Sequence, residues 1–234
     1  LGEIRIAQLV REVLTSDPSL YKCLEMGVIS YSKVASKLRP VLSKLVGRAV
    51  SEESIKMALV RLRSKVSETR TSQGKEVLRV LANSRVEVKT GVVIVIMGVN
   101  RFLSAIPVIA KISNRARFFA VMQSGLAATI VLDENSAEEF LSLTGEEGII
   151  EIQRDQAAIV VVSPVDIMWV PGVIAYITSV LAQNDINIVH VESCYTDTVI
   201  VISKKDLLRA FNILMKHIEI ARSLVGESTS GFER

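Results

Sequence analysis

The feature that most constrains this 234-residue chain is an internal repeat that fills everything after its first 75 residues. Two cycles of strand, helix, strand, strand and helix follow one another at an offset of about 65 residues. The first cycle runs from a strand at Val92–Met97 through a helix at Phe102–Ile112. Strands at Arg117–Gln123 and Ala127–Leu132 follow, and then a helix at Ala137–Leu143 capped by Ser136. Ile149–Gln153 reads as a further strand. The second cycle has a strand at Ala157–Val162, a helix at Pro171–Ala182, strands at Ile186–Cys194 and Thr198–Ser203, and a helix at Leu207–Ile218. This is the order of the ferredoxin-like βαββαβ unit. The predicted fold class is therefore α+β, an N-terminal helical domain followed by tandem βαββαβ domains.

The second cycle lacks its closing strand, because residues 221–234 read as a disordered tail. An unpaired apolar edge favours aggregation, so a strand from elsewhere should fill the gap, and Val86–Lys89 is the candidate. That segment and Val92–Met97 read as a hairpin turning at Thr90-Gly91. Ile159–Val162 and Ile200–Ile202 are continuous apolar runs, so both faces of the sheet are apolar. Helices cover one face only. The other is expected to meet a second domain or subunit, which implies at least a dimer.

The first 68 residues read as helical. Asp17-Pro18, Ser30 and Ser51 are good helix starts, and Gly27 and Gly47 are good stops. The last of these helices buries Ile55, Ala58, Leu59, Leu62 and Val66. Residues 69–75 are polar and without periodicity, and read as a linker. The expected domains are thus 1–68, 76–155 and 156–220. Charge follows the same division. Residues 1–75 hold 14 Lys and Arg against 7 Asp and Glu, and the remainder hold 14 against 18. A basic segment joined to an acidic one points to an anionic partner for the first.

Several function classes find little support. No apolar run approaches the roughly 18 residues of a membrane span. Cys23, Cys194, His190 and His217 lack metal-ligand spacing, and no cofactor or metal is expected. Two distant cysteines without a signal peptide fit free thiols in the cytoplasm. Glu134, Glu138 and Glu139 suit a helix start, and His190 in an apolar strand suits a core or interface histidine. No nucleophile, phosphate loop or acid–base set stands out, so no catalysis is expected.

The second cycle resembles the regulatory ACT domains of aspartokinases. The residues that carry the likeness are Val170-Pro171-Gly172-Val173, Leu181-Ala182, Asp185-Ile186-Asn187-Ile188 and Ser193. The first cycle is similar only in pattern and reads as a degenerate copy, with Leu103-Ser104-Ala105 in place of Pro-Gly. The resemblance implies paired ACT-like domains with an amino-acid effector between a helix-opening loop and a partner's strand. On that basis Met168, Val170, Pro171, Gly172, Asn187, Ile188 and Ser193 are the expected ligand-binding residues. A helix N-terminus with free N–H groups suits a carboxylate, and Asn187 offers both donor and acceptor. A purely structural pair of domains fits the same residues, and Trp169 suits either interface packing or a lid.

The basic half resembles a winged-helix or helix-turn-helix pair, with Ser30–Leu38 as one helix and the segment from Ser51 as the other. Lys56, Arg61, Arg63 and Lys65 are the candidate nucleic-acid contacts. Twelve residues part the two segments, where the compact motif has a turn of about three or four. Lys56 and Arg63 flank one side of the apolar stripe, Arg61 and Lys65 the other, which also suits a solvated helix border.

The functional expectation is a cytoplasmic, ligand-sensing regulator, in the transcriptional class if DNA is its partner. A regulatory subunit docking on an amino-acid biosynthetic enzyme, or an assembly protein with vestigial ACT domains, would fit the same features.

Overall fold

The computed structural model describes residues 6–230, and the side chains of all of them except 65–73 and 227–230. It comprises two compact units, Leu1–Gly74 and Lys75–Arg234.

In the first unit, helices α1 (Ile6–Thr15), α2 (Pro18–Met26) and α3 (Tyr31–Val46) lead into α4 (Glu52–Ala82). The caps sit where the sequence puts them. Asp17 accepts the N–H of Leu20 at 3.0 Å, and Ser30 accepts that of Lys33 at 3.5 Å. Gly27 and Gly47 close α2 and α3 at φ 72°, a left-handed conformation that costs glycine little. Val10, Leu14, Leu24, Ala35, Leu42, Ile55 and Leu59 are fully buried in one core. Pro40 is exposed inside α3 and does not end it. Only residues 47–51 part α3 from α4, so most of the twelve residues counted there are helix.

Helix α4 runs through residues 69–75, where the sequence reading places a linker. Nothing in Glu68–Gln73 breaks a helix, and Gly74 costs only about 1 kcal/mol relative to alanine. Beyond it Val77, Val80 and Leu81 are buried and anchor the helix end in the second unit.

The second unit is a six-stranded antiparallel sheet in the order β2-β3-β1-β4-β6-β5. In chain order its elements are β1 (Arg85–Gly98), α5 (Val99–Ser113), β2 (Phe119–Gln123), β3 (Ala127–Asp133), α6 (Glu134–Thr144) and β4 (Ile149–Val162). They continue with α7 (Val173–Ala182), β5 (Ile188–Cys194), β6 (Asp197–Ser203) and α8 (Leu207–Ser230). The two repeats share their central strands. Val92–Gly98 of β1 pairs with β3, while Val86 and Lys89 pair with Val161 and Ala158 of β4. Residues 85–89 therefore close the second repeat, as the missing strand requires. Residues 149–153 of β4 close the first repeat in the same way.

Thr90-Gly91 is accordingly a bulge inside one strand and not a hairpin. Its mate lies across the pseudo-twofold. Thr90 and Gly91 oppose Ala157 alone, and Arg154 and Asp155 oppose Val93 alone. Gly91 and Asp155 both take left-handed φ, 63° and 56°. Bulges of this kind raise local twist, and here each marks where a strand passes from one repeat to the other.

Helices cover one sheet face in two clusters. Val93, Val95 and Met97 meet Phe102, Ile109 and Phe140 in the first repeat. Ile159, Ile200 and Ile202 meet Ile177, Leu181, Leu214 and the end of α4 in the second. The opposite face was expected to meet a partner. Within one chain Val92, Ile94, Val131, Ala158 and Val201 already form a buried cluster, against which the partly buried Ile96, Phe118, Ala120, Val189 and Val199 pack. Strong sheet twist and curl allow this.

Two local corrections follow. Asp133, not Ser136, caps α6: its carboxylate accepts the Ser136 N–H at 3.3 Å and hydroxyl at 2.8 Å. Residues 221–230 continue α8 in place of a disordered tail. Ala221 is fully buried, and the Arg222 guanidinium donates to the carbonyls of Ala82 at 2.9 Å and Ser84 at 3.1 Å. Among the described residues no helix is long and apolar enough to cross a membrane.

Candidate functional site

The site is where the two repeats differ. In the first, β1 runs straight into α5, with Gly98 as the N-cap in ordinary extended backbone at φ −65°. In the second, residues 163–172 intervene between β4 and α7. This connection is tied down at its root. The buried Ser163 donates its N–H to the Thr196 carbonyl at 2.9 Å. Its hydroxyl is hydrogen-bonded at 3.0 Å to that of Ser84, which also reaches the Val80 carbonyl at 2.8 Å.

Beyond the root, Val165–Met168 forms a single 3-10 turn, and Ile167 is its buried anchor. Asp166 accepts the N–H groups of Trp169 at 2.9 Å and Val170 at 3.1 Å through its carbonyl. Gly172 then caps α7 at φ 102° without any side-chain capping bond. An L side chain there would be strained. The first bond of the helix runs from the Tyr176 N–H to the Gly172 carbonyl at 2.8 Å. The N–H groups just before Tyr176 have no place in the helical ladder.

Residues 167–175 line an open pocket of about 400 Å³ around that helix start. Every side chain in the lining is uncharged, and all are apolar apart from the Trp169 indole N–H. The polar character of the wall comes from the backbone and from the positive end of α7. Such a wall suits a small ligand that has an anionic or acceptor group on an apolar body.

Four of the seven expected ligand residues, Met168, Val170, Pro171 and Gly172, lie in this lining. Trp169 lines it too and is 77% exposed, so it stands at the rim and is not packed within the chain. Ser193 is on β5 near the end that adjoins the loop, where Cys194 and Val162 both pair with Asp197. Asn187 and Ile188 are not brought to the pocket. Asn187 is exposed just before β5, and Ile188 packs into the helix-side core. They sit at the opposite end of the strand, about 20 Å away at about 3.3 Å per residue. Ile167, Val173, Ile174 and Ala175 join the lining without having been expected as ligand residues, although Val173 belongs to the helix-entry motif. The turn that folds Ile167 back under the loop has no strong local signal.

The other polar groups fall elsewhere. His190 Nε2 lies 3.7 Å from Glu192 Oε2 on the helix-free face, opposite Val201 and Val199. His217 Nδ1 is 2.7 Å from the Tyr176 hydroxyl, where α7 meets α8. Burial raises the pKa of that tyrosine. Asp133 is the most elaborately held carboxylate. Burial alone would raise its pKa, but hydrogen bonds from Ser136 and from the Arg117 and Phe118 N–H groups outweigh it, and the net shift is downward.

In the first unit, Lys56 is paired with Glu53 at 3.1 Å, and Arg63 donates to the Tyr31 hydroxyl at 3.4 Å beside the α2–α3 turn. Arg61 is exposed. The Lys65 side chain lies outside the described residues.

No curated protein matches the chain. Among solved structures it is similar to the ligand-free regulatory subunit of aspartate kinase from Thermus thermophilus. There the identity is 13%, coverage is 57% of this chain and 96% of that one, and the TM-score is 0.47. Aspartate kinase from Clostridium acetobutylicum gives 14% identity, 57% and 34% coverage and a TM-score of 0.45. E. coli aspartokinase III with aspartate and ADP gives 11%, 56% and 32%, and 0.46. This chain thus spans about a third of the Clostridium and E. coli chains. Within it, residues 151–216 match the ACT domain family, and that segment holds the pocket and the second repeat from β4 to the first part of α8.

Proposed function

We propose that this chain is a non-catalytic regulatory protein that senses an amino acid or a similar small metabolite in the pocket at the start of α7. The observation that carries this reading is the connection 163–172, which exists in one repeat and is absent from its twin. A purely structural repeat needs no such excursion. This one ends in a left-handed glycine that frees a helix N-terminus beside an apolar wall. The ACT match over the same segment supports a ligand-binding role.

The ladder positions on the outer side of β5 have no strand partner among the described residues, since β5 ends the sheet. We infer that a second copy pairs there. It would bring strand residues such as Asn187 and Ser193 towards a pocket they do not reach within one chain. The regulatory output then rests on differential affinity: the effector shifts an arrangement only as far as it binds one state better.

A thermal-shift screen of the twenty amino acids tests the reading. At about 100 times Kd a ligand contributes about 2.7 kcal/mol, or roughly 5–10 °C for a domain of this size. Met168→Glu, at a half-exposed position, should remove the response while leaving the unliganded melting temperature in place. The absence of a shift with every amino acid at millimolar concentration would count against the proposal.

A further inference from the structure

The basic first unit carries a surface that effector sensing does not use. Helix α2 closes at Gly27, whose N–H bonds the Leu24 carbonyl at 3.0 Å while that of Val28 bonds Cys23 at 3.1 Å. Ser30 then caps α3. Residues 27–30 are thus a short, glycine-opened turn of the length found in compact helix-turn-helix motifs, about three or four residues. Helix α1 touches both α2 and α3, and Leu14, Leu24 and Ala35 are fully buried in their common core. The pair with helix-turn-helix spacing is therefore α2–α3 and not α3–α4.

The two faces of α3 differ sharply. Val34, Ala35, Leu38 and Leu42 are buried. At about 100° per residue, Lys33, Lys37 and Lys44 fall within about 40° of one another on the other side, with Pro40 about 20° and Ser36 about 60° beyond Lys33. All five are exposed, and α3 contains no acidic residue. Arg39, off this stripe, is paired with Glu52 at 3.4 Å. None of the three lysines forms an ion pair among the described residues. On α4, Lys56 and Arg63 are held by Glu53 and Tyr31, while Arg61 is exposed.

We propose that the first unit binds duplex DNA through the exposed face of α3. Ser32 and Ser36 would face the major groove, and Lys33, Lys37 and Lys44 would meet phosphates along its edge. A helix fits the roughly 12 Å major groove of B-DNA, whereas the major groove of an RNA duplex is too deep and narrow for it. In this docking the N-terminal half of the second helix faces the bases. The inference stands on the first unit alone and holds whether or not an effector binds the second.

Fluorescence anisotropy of the full chain with a labelled random-sequence DNA duplex, between 50 and 200 mM salt, tests it. Expected is binding at low salt that falls steeply as salt rises. Lys33→Ala/Lys37→Ala should weaken it about tenfold or more and reduce the log–log salt slope by about 2, since each lost phosphate contact removes about 0.9. Lys56→Ala/Arg61→Ala should stay within about twofold of the parent chain. No duplex binding at 50 mM salt would overturn the proposal. So would sensitivity to the α4 pair in place of the α3 pair, or tighter binding to single-stranded RNA than to the duplex. The amino-acid melting response of the same variants separates this result from the effector reading, because the α3 changes should leave it intact.

Discussion

The two repeats of the sheet share strands, bulges and helix placement, yet only one of them opens between its first strand and its first helix. In the first repeat Gly98 passes β1 directly into α5, and a Cβ added there would meet nothing within 4 Å. In the second repeat the corresponding step is spread over residues 163–172 and ends at Gly172 with φ 102°. Common topology is thus enough for folding, and the proposed ligand site lies in what one copy adds. The sharing of β1 and β4 also has a thermodynamic consequence. Neither repeat has a complete sheet without the other, so both should unfold as one.

That consequence gives the largest expected effect. Phe140 is 1% exposed in the core of the first repeat, and Phe140→Ala should cost about 3–5 kcal/mol. Urea unfolding followed by the far-UV signal and by Trp169, which lies in the second repeat, should shift together for this variant. Transitions that separate would show the repeats to be independent.

Next comes the glycine pair. Gly172→Val forces a β-branched residue to positive φ, and should cost about 1–3 kcal/mol as well as the ligand response. Gly98→Val lacks that left-handed strain. It should be far milder in the same melts and leave the response unchanged. Equal effects at the two positions would erase the proposed distinction.

A smaller effect separates the repeats by pH. Asp133 caps α6 in the first repeat, while its counterpart Ser203 makes no side-chain capping bond. The carboxyl pKa is lowered in the folded state. Its stabilisation is therefore present above the unfolded value of about 3.9 and is lost as pH falls through the lower folded value. Asp133→Asn leaves one acceptor oxygen for donors that now reach two, and should cost about 1 kcal/mol near neutrality and less below pH 3, measured by urea midpoints at both pH values. A constant difference would mean that the carboxylate charge contributes nothing.

The smallest expected effect is Tyr176→Phe, which removes the bond to His217 for about 0.5–1.5 kcal/mol. It tests whether α7 is held by α8 independently of the pocket, so the ligand response should persist.

What was legible in the sequence had local causes. Asp17, Gly27, Ser30 and Gly47 act through their own backbone neighbours, and each occupies the predicted cap. The missing strand was legible because an unfilled edge has a cost, and Val86–Lys89 was the unpaired β-rich segment at hand. Strand continuity through Thr90-Gly91 was not, since a Thr-Gly pair looks the same in a turn and in a bulge. Only the long-range pairing with Ala157 decides between them. The same holds for α4 and α8. The polar stretch of α4 is followed by the buried Val80 and Leu81, and α8 continues past the buried Ala221. At the candidate site, Val170-Pro171-Gly172 announced a helix start. Chain order could not reveal that Asn187 lies at the far end of β5 from its own chain's loop, so that it could meet such a loop only across a pair of domains.

The central claim is that the pocket at the start of α7 takes an amino-acid-like ligand. Trp169 is the chain's single tryptophan and stands at the rim of that pocket, so its fluorescence reports on the pocket directly. Titration with each of the twenty amino acids should give a saturable change for at least one of them, with one equivalent bound per chain and no change in the Met168→Glu variant. Unaltered Trp169 emission throughout, or a second equivalent bound at the first repeat, would contradict the account.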